Sequence, residues 1–299
     1  MDRPVRPLRS VLYMPGSNAR ALEKARTLPA DALILDLEDA VAPEAKEAAR
    51  AQVGEALKQG FGRRMVAVRI NALSTPWGEA DLEAAAAVGP DAVLVTKVDS
   101  GADILEVGRR LARFKAPREL QIWAMMETPL ALLHAGEIAA AVRDDAGLRL
   151  ACLVMGTNDI AKETRARLVP GRWPMHAWLS TCVAAARAYG LSILDGVYNG
   201  LGDAQGLRQE CEEGRDLGFD GKTLIHPNQI EAANEAFAPS DSEIEEARAI
   251  IADFEAPENR GKGAISLQGR MVERLHADVA RRTLALADAI RALEPPIAV

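Results

Sequence analysis

The residues in this sequence best placed to do chemistry are charged side chains that each close an apolar run. Gln121-Ile122-Trp123-Ala124-Met125-Met126 leads into Glu127, with Thr128-Pro129 directly after it. Leu33-Ile34-Leu35 leads into Asp36, Glu38 and Asp39; Val66-Ala67-Val68 into Arg69; Ala92 to Val95 into Lys97. Leu153-Val154-Met155 gives way to Gly156-Thr157-Asn158-Asp159, and Ile193-Leu194 to Asp195. Apolar runs without polar alternation are the pattern of strands buried on both faces of a parallel sheet. A threonine and then a proline at the end of such a run open a helix. Charges at the carboxyl ends of such strands lie where α/β proteins place their reactions.

A mouth that gathers so many carboxylates repels itself unless it takes in a cation. Mg²⁺ suits it, since that ion commonly accepts one or two carboxylates, several waters and oxygens of its ligand. Glu127 and Asp159, on adjacent strands, are the candidate metal ligands, and Asp36, Glu38 and Asp39 are placed to hold metal-bound waters. Arg69 closes an apolar strand, so its charge is desolvated and must face a partner. It could clamp a substrate carboxylate or steady an enolate oxygen, or it could pair internally with Glu38 or Glu127. Asp195 could brace the barrel rim. Pro15-Gly16-Ser17-Asn18-Ala19-Arg20 with Lys24 combines a turn, a helix start and two cations, a combination that suits phosphate.

The elements that must position these residues form a repeat. Eight strand-like stretches begin near Arg9, Ala32, Met65, Ala92, Gln121, Leu150, Ser192 and Gly221, each followed by a helical pattern. Strands alternating with helices imply βαβ units, and eight of them predict a (β/α)8 TIM barrel, here over residues 1–238. An open doubly wound sheet is the alternative, but no GxGxxG motif follows any strand. Phe237-Ala238-Pro239-Ser240 marks a boundary. Residues 239–299 read as a C-terminal helical extension: a helix from Ser242 to Phe254, a loop with Gly261, Gly263 and Gly269, and an amphipathic helix from about Met271. Glycines between two helices suggest a hinged lid, or an arm that packs on a neighbouring subunit.

Composition narrows the partners. The formal net charge is −7 with 4% aromatic residues, which argues against nucleic acid as a partner. No stretch approaches the roughly 20 apolar residues that span a membrane, and Met1 to Pro7 lacks the apolar core of a secretory signal. Cys152, Cys182 and Cys211 are far apart and outside any CxxC pair, as expected of reduced thiols in a cytoplasmic protein. The four histidines do not form HExxH.

Together the motifs resemble the HpcH/HpaI aldolase / citrate lyase β-subunit family. The matching stretches are RSVLYMPGSNARALEKA from Arg9, LDLEDAVAPEAKEAAR from Leu35, VAVRIN from Val66, METP from Met126, GTNDIAKE from Gly156, LDGVYNGLGD from Leu194 and GFDGKTLIHPNQI from Gly218. The resemblance implies a Mg²⁺-dependent barrel enzyme, a homotrimer or homohexamer, that makes or breaks C–C bonds in hydroxyacyl-CoA esters. Its substrates would be a CoA ester such as malyl-, citramalyl- or citryl-CoA and, in the other direction, an acyl-CoA with a 2-oxo acid. By motif, Glu127 and Asp159 match the metal carboxylates, Arg69 the substrate-binding arginine, and Arg20 and Lys24 a CoA-facing region. The acid/base of the C-terminal extension, an aspartate in the family's Met-Ile-Asp-type motif, corresponds to Glu273 in Met271-Val272-Glu273. Some relatives resemble thioesterases. The alternatives are therefore a malyl-CoA-type thioesterase, an aldolase on free 2-oxo acids, or a partner-dependent subunit of a citrate lyase complex.

Overall fold

The computed structural model describes residues 5–267 and 269–293. Eight parallel strands close into a barrel in sequence order: β1 (Ser10–Pro15), β2 (Ala32–Asp36), β3 (Met65–Arg69), β4 (Ala92–Val95), β5 (Gln121–Met126), β6 (Leu150–Met155), β7 (Ser192–Asp195) and β8 (Gly221–Leu224). β8 returns to pair with β1 through Ser10↔Lys222 and Leu12↔Leu224. Helices follow the strands and coat the outside.

The strands show no polar alternation because each of their faces meets apolar side chains. Leu33 and Leu35 point outward into the layer shared with the helices, as do Val66 and Val68, Val93 and Val95, and Ala124 and Met126. Val11, Ile34, Ala67, Leu94, Trp123, Met125, Val154 and Leu194 point inward and fill the barrel axis. The two-residue period of a strand carries each parity to its end. Asp36 continues the inward row of Ile34, Arg69 that of Ala67 and Glu127 that of Met125, whereas Asp195 follows the outward Ile193. In the β2–β3 ladder Asp36 pairs directly with Arg69.

Two glycines are required where loops cross at the strand ends. A Cβ on Gly156 would lie 2.5 Å from the Glu127 Cβ, and one on Gly16 would lie 2.6 Å from the Asp36 carbonyl oxygen. Neither approach leaves room for a side chain.

Leu8–Phe237 forms one compact unit, and the chain from Ala238 onward belongs to a second. In the second unit a helix (Asp241–Glu255) is N-capped by Ser240, whose side chain accepts from the Glu243 N–H while Glu243 reaches back to the Ser240 N–H. The stretch that reads as a glycine-rich loop contains an antiparallel hairpin, β9 (Ala264–Leu267) and β10 (Arg270–Glu273). The last helix therefore starts at Arg274, not near Met271. Gly269 turns the hairpin at φ +78, a backbone conformation that glycine adopts without penalty. Ile265 and Val272 pair across it and pack with Ala247, Ile250, Ala277 and Ala280. Among the described residues no helix is long and apolar enough to cross a membrane.

Candidate active site at the barrel mouth

At the carboxyl end of β3 the Arg69 guanidinium meets the Asp36 carboxylate in a two-pronged pair, Nε to Oδ1 at 2.7 Å and Nη2 to Oδ2 at 2.6 Å. Asp36 is held from behind by the N–H groups of Glu38, at 2.9 Å, and Ala40, at 3.1 Å. Arg69 Nη1 faces Glu38 Oε2 at 3.0 Å and Asp39 Oδ2 at 3.4 Å. The guanidinium also stacks over the Tyr13 ring, 4.8 Å from its centroid, a cation–π contact. Burial alone would lower the pKa of Arg69, but Asp36 and the surrounding charges raise it well above the ordinary value. The arginine is a fixed charge in the mouth, with Asp36 as its main partner.

Glu38 is less comfortable. Burial pushes its carboxyl up to about 7; Arg69 opposes that shift, while Asp39, Glu127 and Asp36 add to it. Its Oε2 is buried and, although close to Arg69, makes no hydrogen bond among the described residues. Lys46 steadies this turn from below, its ammonium donating to the carbonyls of Leu37 at 2.8 Å and Glu38 at 2.6 Å.

Across the mouth, Glu127 and Asp159 converge. Gly156 brings β6 against Glu127, donating its N–H to the Met126 carbonyl at 3.0 Å, and Asp159 sits in the first turn of the following helix (Thr157–Thr164). Lys97 joins them. Its N–H donates to Glu127 Oε1 at 2.8 Å, and its ammonium lies 2.9 Å from Asp159 Oδ1 and 3.4 Å from Glu127 Oε2. Burial raises the Glu127 carboxyl; the Lys97 N–H and charge oppose this, and Asp159 adds to it. The mouth thus sets five carboxylates (Asp36, Glu38, Asp39, Glu127, Asp159) against two ion-pairing cations, Arg69 and Lys97.

That excess of negative charge calls for a further cation. Among the described residues no three His, Cys, Asp or Glu side chains form a metal cage. Two carboxylates are nonetheless the donor set with which Mg²⁺ is usually held, water and substrate supplying the rest. Glu127 and Asp159 fit that ion.

The other sequence candidates lie elsewhere. Asp195 points away from the mouth, into the layer between β7 and the helix Ala204–Leu217. There it takes Arg172 Nη1 at 2.7 Å and Lys222 Nζ at 2.8 Å, and Lys222 also donates to Glu210 at 2.7 Å. Arg20 and Lys24 are exposed on the helix Ala19–Ala25, which Asn18 caps by accepting from the Ala21 N–H at 3.0 Å. Glu273 ends β10 in the second unit, its N–H donating to His276 Nδ1 at 2.9 Å. Tyr13 and Lys46 escape a search for charged strand ends. Tyr13 was detectable from its inward parity with Val11, but Lys46 lies within a helix and carries no such signal.

The chain is similar to known proteins along most of its length. The family model for HpcH/HpaI aldolase/citrate lyase matches residues 9–227. A (3S)-malyl-CoA thioesterase of Cereibacter sphaeroides is 51% identical over 98% of this chain and 99% of its own. Citrate lyase subunit beta of Escherichia coli is 35% identical over 96% and 95%. Among solved structures, the protein CitE from Mycobacterium tuberculosis in complex with magnesium, acetoacetate and coenzyme A superposes with a TM-score of 0.73. It is 30% identical and covers 94% of this chain and 98% of that one. The citrate lyase beta subunit of the same organism, complexed with oxaloacetate and magnesium, gives a TM-score of 0.65 at 32% identity, covering 78% and 98%.

Proposed function

The chain belongs to the HpcH/HpaI aldolase/citrate lyase family, and on that premise we propose that it is a Mg²⁺-dependent lyase. It would cleave, or in reverse form, a 3-hydroxyacyl-CoA ester of the malyl-, citramalyl- or citryl-CoA type, giving an acyl-CoA and a 2-oxo acid. The observation that carries this reading is the pair Glu127–Asp159 in a mouth whose carboxylates outnumber its cations. Relatives solved with magnesium and either coenzyme A or oxaloacetate support it.

Glu127 and Asp159 would hold the ion. When bound, Mg²⁺ supplies a Lewis acid and a template for the carboxylate and adjacent oxygen of the oxo-acid half. Arg69, locked by Asp36, would meet the thioester oxygen with its guanidinium and stabilise the enolate that forms as the C–C bond breaks. The substrate hydroxyl loses its proton to a carboxylate of the mouth. Glu38, with its pKa near neutrality, is matched to that exchange. The electrons of the broken bond pass to the enolate, whose carbon takes a proton from Glu273 and becomes the acyl-CoA. Arg20 and Lys24, exposed and cationic, would meet the phosphates of CoA.

Glu273 reaches this chemistry in our reading because the second unit acts as a lid or arm over a barrel mouth, excluding water from the enolate. Met271, Leu275 and Val279 leave that unit with exposed apolar side chains, which supports docking onto a neighbouring copy in a trimer or hexamer. The free, buried cysteines agree with a cytoplasmic site of action.

A second reading is favoured by the malyl-CoA thioesterase relative. Water admitted to the same site would attack the thioester carbonyl, Arg69 would hold the resulting oxyanion, and CoA would leave as a thiol. Mass spectrometry of products from a panel of hydroxyacyl-CoA esters, with Mg²⁺ and with EDTA, separates the two. An acyl-CoA with a 2-oxo acid, lost in EDTA, is the expected result. Free CoA with an intact hydroxy acid would transfer the assignment to the thioesterase. No turnover would favour a free-acid aldolase, or a subunit that needs partners as part of a citrate lyase complex.

A further inference from the structure

Lys97, two residues past the end of β4, is placed against the preference of the backbone. Lys97 sits at φ +54, in the left-handed region that costs a non-glycine residue about 1 kcal/mol or more. What the conformation achieves is read in its contacts. The N–H of Lys97 donates to Glu127 Oε1 at 2.8 Å, while its ammonium lies 3.4 Å from Glu127 Oε2 and 2.9 Å from Asp159 Oδ1. The same residue aims one carboxylate through its backbone and joins both through its side chain.

The two oxygens that face the ammonium come one from each carboxylate. A divalent ion shared by Glu127 and Asp159 would need the space between them that the ammonium fills. An ammonium and a divalent cation repel each other too strongly at contact range to share that space. Lys97 has a way out, since its side chain is 38% exposed. Lys222, by contrast, is sealed between Asp195 and Glu210 with no exposure at all.

We infer that Lys97 is a displaceable counter-ion: its ammonium occupies the space between Glu127 and Asp159 in the metal-free enzyme and leaves it when the divalent cation enters. The backbone N–H on Glu127 Oε1 does not depend on the ammonium, so it would keep that carboxylate aimed after the side chain has left. The inference rests on the reading that this pair binds Mg²⁺. It adds that the carboxylate pair is kept assembled by the chain itself, and that metal affinity is set by competition with a tethered cation.

The test follows Lys97 rather than turnover. The full-length protein is treated with an amine-acylating reagent, with and without Mg²⁺, and the modified lysines are quantified by mass spectrometry with Lys222 as a buried reference. Mn²⁺ binding is titrated on the same preparation by electron paramagnetic resonance. Lys97 should become several-fold more reactive when the metal is present while Lys222 stays unmodified, and Lys97→Met should bind Mn²⁺ about tenfold tighter or more. Mn²⁺ binding with Lys97 reactivity unchanged or lowered would overturn the inference and leave the metal assignment standing. Equal or weaker Mn²⁺ affinity in Lys97→Met would overturn it likewise. Failure of the wild-type protein to bind Mn²⁺ would remove the metal assignment itself, and the inference with it.

Discussion

Two clusters of charge flank the barrel wall, and they are built to opposite rules. Around Asp195, the carboxylates of Asp195, Glu210 and Glu213 face the cations Arg172 and Lys222, with His176 Nε2 donating to Glu213. Charge there nearly cancels. Burial would raise the Asp195 carboxyl, yet Lys222 and Arg172 hold it below its ordinary value. At the mouth the carboxylates outnumber the cations, and both Glu38 and Glu127 are pushed up. A balanced buried cluster braces a fold, whereas an unbalanced one at the end of the strands waits for something to balance it.

Breaking the mouth should cost function and spare the fold. Glu127→Gln is expected to lower kcat/KM by about a thousandfold, the scale of losing a principal electrostatic element, with an unchanged circular dichroism spectrum. Steady-state kinetics at saturating Mg²⁺ would check it; activity near wild type would end the metal assignment of Glu127.

Breaking the braced cluster should do the reverse. Asp195→Asn leaves Arg172 and Lys222 short of their shared anion, at a cost of about 3–5 kcal/mol in denaturant unfolding. The molecules that remain folded should turn over at close to the normal rate. A stable variant with lost turnover would place Asp195 in the chemistry.

The imbalance at Glu38 has a pH signature. Its folded pKa of about 7 lies above the ordinary value of 4.5, so the folded state holds that proton more tightly than the unfolded chain. The sign follows: Glu38 favours folding below pH 4.5, and its contribution falls as pH rises toward 7, by up to about 1.4 kcal/mol per pH unit. The unfolding free energy of metal-free Glu38→Gln, minus that of wild type, should therefore grow between these pH values and then level off. A flat difference would show that Glu38 ionises like an ordinary surface carboxylate.

The smallest effect concerns the exposed cations. Arg20→Ala and Lys24→Ala should raise KM for a CoA ester a few-fold, more at low salt than at high, and leave stability within about 0.5 kcal/mol. A KM insensitive to both changes would move the CoA phosphates elsewhere.

The same contrast explains what was legible in the sequence. The barrel was readable because unalternated apolar runs recur eight times between helical patterns, and long-period repetition survives local ambiguity. Strand ends led to Asp36, Arg69 and Glu127, which lie at the same end of the barrel. They also offered Asp195, and only the two-residue parity that links it to the outward Ile193 rather than the inward Leu194 sends it into the helix layer. The bidentate Asp36–Arg69 pair was hidden for a related reason: it depends on the register between β2 and β3, and a list of strand ends carries no register. The hairpin that ends at Glu273 was masked by its glycines, although Ile265 and Val272 have the spacing of paired strands around Gly269. Lys97 was visible as a charge, but its left-handed backbone had no marker, since such positions usually announce themselves as glycine or asparagine.

The direct pairing of Asp36 with Arg69 across β2 and β3 also acts as a key for assembly. Both strands are apolar on both faces, so hydrophobic contact alone distinguishes poorly between neighbouring alignments. A slip of one residue would turn every side chain to the opposite face and drive a guanidinium into the apolar layer under the helices. The charges that prepare the mouth thereby veto a misaligned barrel, and a chain that folds at all has its arginine in place.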